Sequence, residues 1–279
     1  MRSIIFIFIF LSITVTSTWF GLNLFPETKS FIVELFQKDK FQTLEVRFSA
    51  EKIMETYKKE LIKDNDHIYL DPSLIFYPYL LMEVKYTKDS KTGEGLILWS
   101  LIDGEMVTNT YNWEKTHGFN DCINVRASRE DFKIINALSI NGGSMDRETL
   151  SKALNIENDT LILWAEKCRT KNLIVQNGNN FRLHLQEPKI QVTPETKIDQ
   201  WLVSKPVKNA KRLSKKLRSS QIESVAKAAF GNDFTIRRTS EIFLPVYNIV
   251  VQNPDGSQTT TYWNALNGKR FSQRNCLLE

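Results

Sequence analysis

The chain has 279 residues, with 37 Lys and Arg against 32 Asp and Glu, a formal net charge of +5, 42% hydrophobic and 25% charged residues. That balance excludes wholesale disorder and allows one large domain or about two to three small ones. Nor is the chain evenly basic: Lys205, Lys208, Lys211, Arg212, Lys215, Lys216 and Arg218 are seven cations in one stretch, and subtracting seven from +5 leaves the remainder at −2.

In chain order, Met1-Arg2 comes first, then the apolar run Ile4–Val15, with no further charge until Glu27. A basic start, about a dozen apolar residues and small residues at Val15-Thr16-Ser17 form the pattern of a secretory signal peptide. Trp19, Phe20, Leu22, Leu24 and Phe25 prolong the apolar character, so an uncleaved membrane anchor is the alternative. Residues 1–25 are therefore expected to be a signal or anchor that makes the protein extracytoplasmic, either secreted or held at the membrane.

Two stretches then echo each other. Leu74-Ile-Phe-Tyr-Pro-Tyr79 is matched by Glu241-Ile-Phe-Leu-Pro-Val246, and Trp99-Ser-Leu-Ile-Asp-Gly-Glu105 by Trp263-Asn-Ala-Leu-Asn-Gly-Lys269. Between these anchors each copy holds two runs rich in Val, Ile, Tyr and Thr around a polar turn, the signature of a β-hairpin. A helical pattern precedes each copy, at Ser49–Ile62 and at Ser219–Phe230. The sequence therefore predicts two small α+β modules, 40–115 and 219–275, each burying its hairpin against its own helix, with Tyr77, Tyr79, Trp99 and Trp263 on the module surface. Helix, hairpin and terminal Asp/Asn-Gly resemble the PepSY-type modules of exported bacterial proteins.

Between the copies, Arg129–Leu138 places Phe132, Ile135 and Leu138 on one helical face, and Gly142-Gly143 ends it. Asp146 is a good N-cap for Arg147–Leu154, and Asn155 suits a left-handed turn. A third helix over about 158–171 turns Leu161, Ala165 and Cys168 inward. Asn172 ends it, and two strands around Asn177-Gly178 form a hairpin. This order over 128–186 resembles the winged-helix family. Such domains use the third helix to read DNA, which requires polar and basic groups on its outward face. Here that face carries Ile162, Leu163 and Glu166 beside Trp164, with Glu157 and Asp159 at its start, so it fits a protein partner better than a polyanion.

Residues 187–218 read as a basic linker whose cations offer a patch for an anionic partner, for which an anionic membrane surface is one candidate. The expected fold class is α+β: a central winged helix flanked by two helix-plus-hairpin repeats, after an N-terminal signal or anchor segment. No phosphate loop, nucleophile elbow or zinc spacing occurs, and His67, His117 and His184 sit apart from other ligand types. The expectation is a non-catalytic scaffold with no cofactor and no metal, whose docking surface is Ile162, Leu163, Trp164 and Glu166. The alternative is a membrane-linked regulator that contacts nucleic acid through Lys167, Arg169, Lys171 and the basic stretch. Cys168 reads as a buried small hydrophobe, while Cys122 and Cys276 are candidates for a disulfide.

Overall fold

The computed structural model describes residues 40–62, 66–88 and 91–272. The expected signal or anchor segment and Cys276 lie outside the described residues. The fold is α+β, with a large mixed sheet, a three-stranded sheet and, among the described residues, seven helices. The described residues divide into two units, Lys40 and Phe41 with Ser204–Asn209, and the remainder from Gln42 to Ser272. In the first, Lys208 is exposed and Lys205 half-buried. All that follows concerns the second.

Two long strands, β3 (Ser73–Lys88) and β12 (Thr235–Gln252), form the centre of the large sheet and run antiparallel. Their pairing brings the two echoed motifs together: Phe76 lies opposite Pro245, Phe243 opposite Pro78, and Tyr77 opposite Leu244. Each motif thus presents its proline to the other's phenylalanine, as a two-fold relation about the Tyr77–Leu244 pair requires. Proline lacks an N–H and is normally kept out of central strands. Here the Pro78 carbonyl accepts from Leu101 N–H and the Pro245 carbonyl from Ala265 N–H, both at 3.1 Å. N–H and C=O of one strand residue point the same way, so each missing donor faces the side where the hairpin partner is already turning away. The β3–β12 ladder loses nothing.

Each long strand turns back as a hairpin, into β4 (Lys91–Ser100) and β13 (Gln258–Asn264) respectively. Both hairpins finish on the same backbone pattern. Ser100 N–H donates to Glu105 O at 3.0 Å and Asn264 N–H to Lys269 O at 2.9 Å. Gly104 and Gly268 sit at φ +69° and +68°, where a Cβ would be strained.

The helices are not arranged as expected. A module covering its hairpin with its own helix is what local sequence order implies, but the partners are exchanged. The first helical segment, α1 (Ala50–Thr56) and α2 (Lys58–Leu61), packs with Trp263 and Ile249 of the second hairpin, with the Tyr57 ring 4.5 Å from that of Trp263. The later helix α7 (Ser219–Phe230) joins Trp99 of the first hairpin in one core, the Phe230 and Trp99 rings 6.5 Å apart.

The short strands ahead of the helices follow them: β1 (Lys40–Leu44) pairs parallel with β12 at Phe243, and β11 (Lys211–Arg212) parallel with β3 at Ile75 and Phe76. Arg47 and Phe48 N–H both reach Ala265 O, just as Lys216 and Leu217 N–H both reach Leu101 O. The cause is geometric. β3 and β12 lie side by side with their hairpins on outer flanks, so a segment leading into one long strand emerges over the other.

Side-chain alternation divides the core between the two sheet faces. Leu80, Met82 and Val84 face α7 and the central helices, whereas Tyr77, Tyr79 and Leu81 join Ile242, Leu244 and Val246 on the opposite face. The central segment shares the first of these cores through Phe132, Ile135, Leu138, Leu161 and Cys168, so it is continuous with the sheet in packing. It comprises α4 (Arg129–Ile140), β7 (Ser144–Asp146), α5 (Arg147–Leu154), α6 (Asn158–Thr170), β8 (Ile174–Asn177) and β9 (Asn180–Leu183). The three strands form the small sheet in the order β7-β9-β8.

Caps explain these boundaries. Ser128 and Asp131 make a reciprocal capping box on α4, and the Asp146 carboxylate accepts from Glu148 and Thr149 N–H at 3.0 Å. Asn155 and Asn172 take left-handed φ values of +52° and +56° after α5 and α6.

Candidate functional site

Three features bear on function: the outward face of α6, the basic stretch, and a pocket between the two hairpin turns. On α6, Leu161, Ala165 and Cys168 are buried, while Ile162 is 41% and Leu163 64% exposed. Trp164 is half-buried against the core, with Lys133 Nζ 5.3 Å from its ring centroid. Glu166 is exposed and pairs with Arg169 at 2.8 Å. Lys171 pairs with the buried Asp131, which also caps α4, so this ion pair ties the first helix of the segment to the end of the third. Of the cations put forward for nucleic acid, Arg169 and Lys171 are thus engaged by carboxylates of the chain.

The basic stretch is a free linker in neither packing nor hydrogen bonding beyond residue 210. Lys211 and Arg212 form β11, Leu213 N–H donates to Phe76 O, and Leu217 is buried. The chain crosses here because β4 ends opposite Tyr79, leaving the Phe76 side of β3 open to another strand. Lys215 pairs with Glu241 at 2.9 Å, and the Arg212 guanidinium lies 5.8 Å from the Phe243 ring centroid. Lys216 and Arg218 line a cleft with Arg126 near the start of α7.

Tyr77, Tyr79, Trp99 and Trp263 do not form a surface. Each is at most 2% exposed. Their β-strand alternation was legible, but not what covers the faces. Trp99 and Trp263 hold matching positions in the hairpins, and their indole N–H groups donate to Gly104 O at 2.6 Å and to Thr261 Oγ1 at 2.8 Å. Tyr77 and Tyr79 lie in the wall of a pocket of about 400 Å³ on the opposite sheet face.

That pocket lies between the turns: Ser100 and Asp103 of the first and Asn264, Asn267 and Lys269 of the second contribute to its lining. Asp103-Gly104 and Asn267-Gly268, the terminal Asp/Asn-Gly pairs of the sequence, close turns. What sequence reading missed is that pairing of β3 with β12 would bring them to one site, and that the return strand β6 (Glu114–Lys115) would add Lys115 and the preceding Trp113. The repeat of the turn was the available signal.

Lys115 Nζ lies 2.6 Å from Asp103 Oδ2 and 5.6 Å from the ring centroids of both Tyr79 and Phe271. Burial disfavours its charge, yet Tyr79 and Asp103 hold the proton on, and its pKa lies above the ordinary lysine value. Burial likewise opposes the charge on Asp103, yet Lys115 beside it keeps the carboxyl below its usual range. Burial pushes the Tyr79 phenol up. Trp113 has φ +57°, an outlier for a bulky residue of the kind that concentrates at functional sites. Its indole N–H approaches the Tyr79 phenol, whose ring it meets edge-on at 5.5 Å, but makes no hydrogen bond.

Glu105, next to this site, accepts from Gly118 N–H at 3.0 Å, Asn120 N–H at 3.1 Å and Thr116 Oγ1 at 2.7 Å, and burial raises its pKa. These bonds anchor the start of α3 (Phe119–Asn124). Cys122 on that helix is buried, and burial pushes its thiol up to about 12. A thiol so held is a poor nucleophile. Among the described residues no three His, Cys, Asp or Glu side chains gather as a metal would need, and no helix is long and apolar enough to cross a membrane.

Comparison with protein-family models, curated proteins and solved structures finds no match to this chain.

Proposed function

We propose that the protein is a non-catalytic binding scaffold, exported or anchored by its N-terminal segment, whose winged-helix segment docks a partner protein. The observation that carries this reading is the outward face of α6, where Ile162 and Leu163 stand exposed beside Trp164 and Glu166. Exposed aliphatic side chains flanked by a half-buried aromatic suit the centre of a protein interface. The helix-strand-helix-helix-hairpin order of residues 128–186 supports the winged-helix assignment, and the pairwise matching of hydrogen bonds in the two hairpins supports two copies of one PepSY-like module. Nucleic acid is the weaker partner because Arg169 and Lys171 already face Glu166 and Asp131.

The test combines topology with proximity. A reporter active only outside the cytoplasm is fused to the C-terminus, and a photo-crosslinking residue is placed at Leu163 or, as control, at the exposed Lys152 on α5. An active reporter with a discrete adduct from position 163 alone is expected. Equal labelling from both positions, or an inactive reporter, would count against docking and export respectively. Steeply salt-dependent binding to duplex DNA would favour the regulator instead.

A further inference from the structure

Three basic side chains converge on a cleft of about 540 Å³ beside the start of α7. Lys216 and Arg218 enter it from the segment that leads into that helix, and Arg126 from just beyond the end of α3. The other polar side chains of the lining are Ser220, Gln221 and Ser224, so among the described residues no carboxylate faces the cleft. Cations nearby are matched within the chain: Arg169 faces Glu166, Lys171 faces Asp131, and Lys215 faces Glu241. Arg126 and Arg218 have no such carboxylate among the described residues, although both are exposed and lie at one concavity. Like charges gathered in this way raise the local potential, which a bound anion offsets.

Hydrogen-bonding groups have the same bias. Gln221 Oε1 is already taken by the Arg218 N–H at 3.0 Å. Arg218 is the residue that begins α7, and a guanidinium cannot accept from the first N–H groups of a helix. Gln221 N–H and Ile222 N–H both turn to Arg218 O, whereas Ser219 N–H and Ser220 N–H have no acceptor among the described residues. The frame that carries these donors is fixed. Leu217, Ile222 and Val225 are buried, Lys216 and Leu217 N–H are held by Leu101 O, and Ala127 N–H is held by Cys122 O at 2.8 Å. Arg126 O accepts from Lys171 Nζ at 3.5 Å, which ties that turn to the end of α6. The donors are therefore in place before a ligand arrives.

The cleft offers little to the rest of a ligand, since its apolar contributors, Ile123 and Val225, are both buried. Recognition falls on the charged group. A carboxylate, with one charge and two oxygens, would use part of the donor set. A terminal phosphate, with nearly two charges and three free oxygens, matches donors that arrive from α7 on one side and from Arg126 on the other. We infer that this cleft binds a phosphomonoester group, its oxygens on the Arg126 and Arg218 guanidinium groups, the Ser220 hydroxyl and the first N–H groups of α7. The group can belong to a soluble ester or to a lipid headgroup. The site is independent of the α6 docking face and survives if that reading fails.

Inorganic phosphate is the probe, with acetate at matched ionic strength as the simple monoanion and a short-chain phosphatidic acid as the lipid form of the same group. Binding is followed on the full chain in detergent by titration calorimetry and by the shift in melting temperature. Saturable phosphate binding with Kd of about 1 mM or tighter is expected, at least about tenfold tighter than acetate. Phosphatidic acid bound no better than phosphate would assign the site to soluble esters, and binding about tenfold tighter would assign it to a lipid headgroup; both results uphold the phosphate chemistry. Arg126→Ala and Arg218→Ala, on exposed side chains, are each expected to weaken binding about tenfold without changing the melting temperature of the unliganded protein. Arg182→Ala, at an exposed arginine of the small sheet, is expected to leave binding unchanged. Ser220→Asp puts a carboxylate in the cleft and should abolish phosphate binding, while the unliganded protein melts no lower. No saturable response to phosphate or phosphatidic acid, equal binding of acetate, an equal loss in Arg182→Ala, or unchanged affinity in both cleft arginine variants would each overturn the assignment.

Discussion

The turns at Asp103-Gly104-Glu105 and Asn267-Gly268-Lys269 share a backbone and differ in what their side chains do. Both close Ser100 or Asn264 onto the residue five positions later, and both bring their glycine against the residue entering the exchanged helix, Leu217 at Gly104 and Phe48 at Gly268. In the first turn both acids are engaged by the chain: Asp103 holds Lys115, and Glu105 holds the start of α3. In the second turn the corresponding residues are an amide and a lysine, and Lys269 extends into solvent and pocket. The same backbone thus anchors an inserted excursion of chain through two carboxylates at the first turn, and at the second reaches only Tyr111 and Asn112 through an amide and an ammonium.

The sharpest way to break the parallel is at the two buried tryptophans. Removing either indole leaves a large cavity and costs about 3–5 kcal/mol. Trp99 belongs to the large core shared with the central helices and Trp263 to the smaller cluster with α1 and α2. Trp99→Ala is therefore expected to lower protection from hydrogen exchange throughout, and Trp263→Ala chiefly in α1, α2 and the second hairpin. Uniform loss in both variants would show that the two cores unfold together.

Asp103→Asn makes the first turn resemble the second. It leaves the Lys115 ammonium without its counter-ion, and a loss of about 2–3 kcal/mol is expected in urea unfolding at neutral pH. The sign with pH follows from the lowered carboxyl pKa. The Asp103 contribution is complete above the unfolded-state value and is lost as pH falls through the folded one. The stability difference between wild type and Asp103→Asn should therefore shrink below about pH 4. A difference that grew in acid would refute the pairing.

The glycines come next. Alanine at either position is strained by the positive φ, at about 1–2 kcal/mol. Its new methyl would meet the Asn120 backbone at 3.1 Å in the first turn but the Phe48 ring at 2.9 Å in the second. The half-buried Phe48 ring can rotate and the Asn120 backbone cannot, so Gly104→Ala should cost more in thermal melts. The smallest effect is expected at Lys269→Glu, within about 0.5 kcal/mol in stability, because the side chain is exposed.

Much of the central segment was legible because its signals are local. Asp146, Asn155 and Asn172 cap helices that residues three and four apart had already outlined, and Asn177-Gly178 marks the hairpin turn. Strand β7 was not legible, since three residues carry no period. The echoed motifs were visible as well, but their partners were not. That β3 runs unbroken through Pro78 depends on where the Pro78 carbonyl finds Leu101, a fact of three dimensions. The expectation that each helix covers its own hairpin used the shortest connection and overlooked the side-by-side pairing of β3 with β12. The four aromatic residues placed on the surface failed for the same reason, because the chains that bury them come from elsewhere. Trp113 and Lys115 carried no pattern at all.

The exchange of helices and strands also dictates an order of events during synthesis. Thr43 finds its partner at Phe243, two hundred residues later, and the first hairpin waits for α7, which begins more than a hundred residues beyond it. The growing chain therefore emerges with the indole of Trp99 covered by Phe119 but not by Phe230, and with the β12 edge of β3 unpaired until most of it has been made. Such a chain folds late and slowly, and while incomplete it exposes the sticky surfaces that chaperones recognise. A truncated product ending before residue 219 would lack α7 and β12, leaving that face partly covered and the β3 edge unpaired.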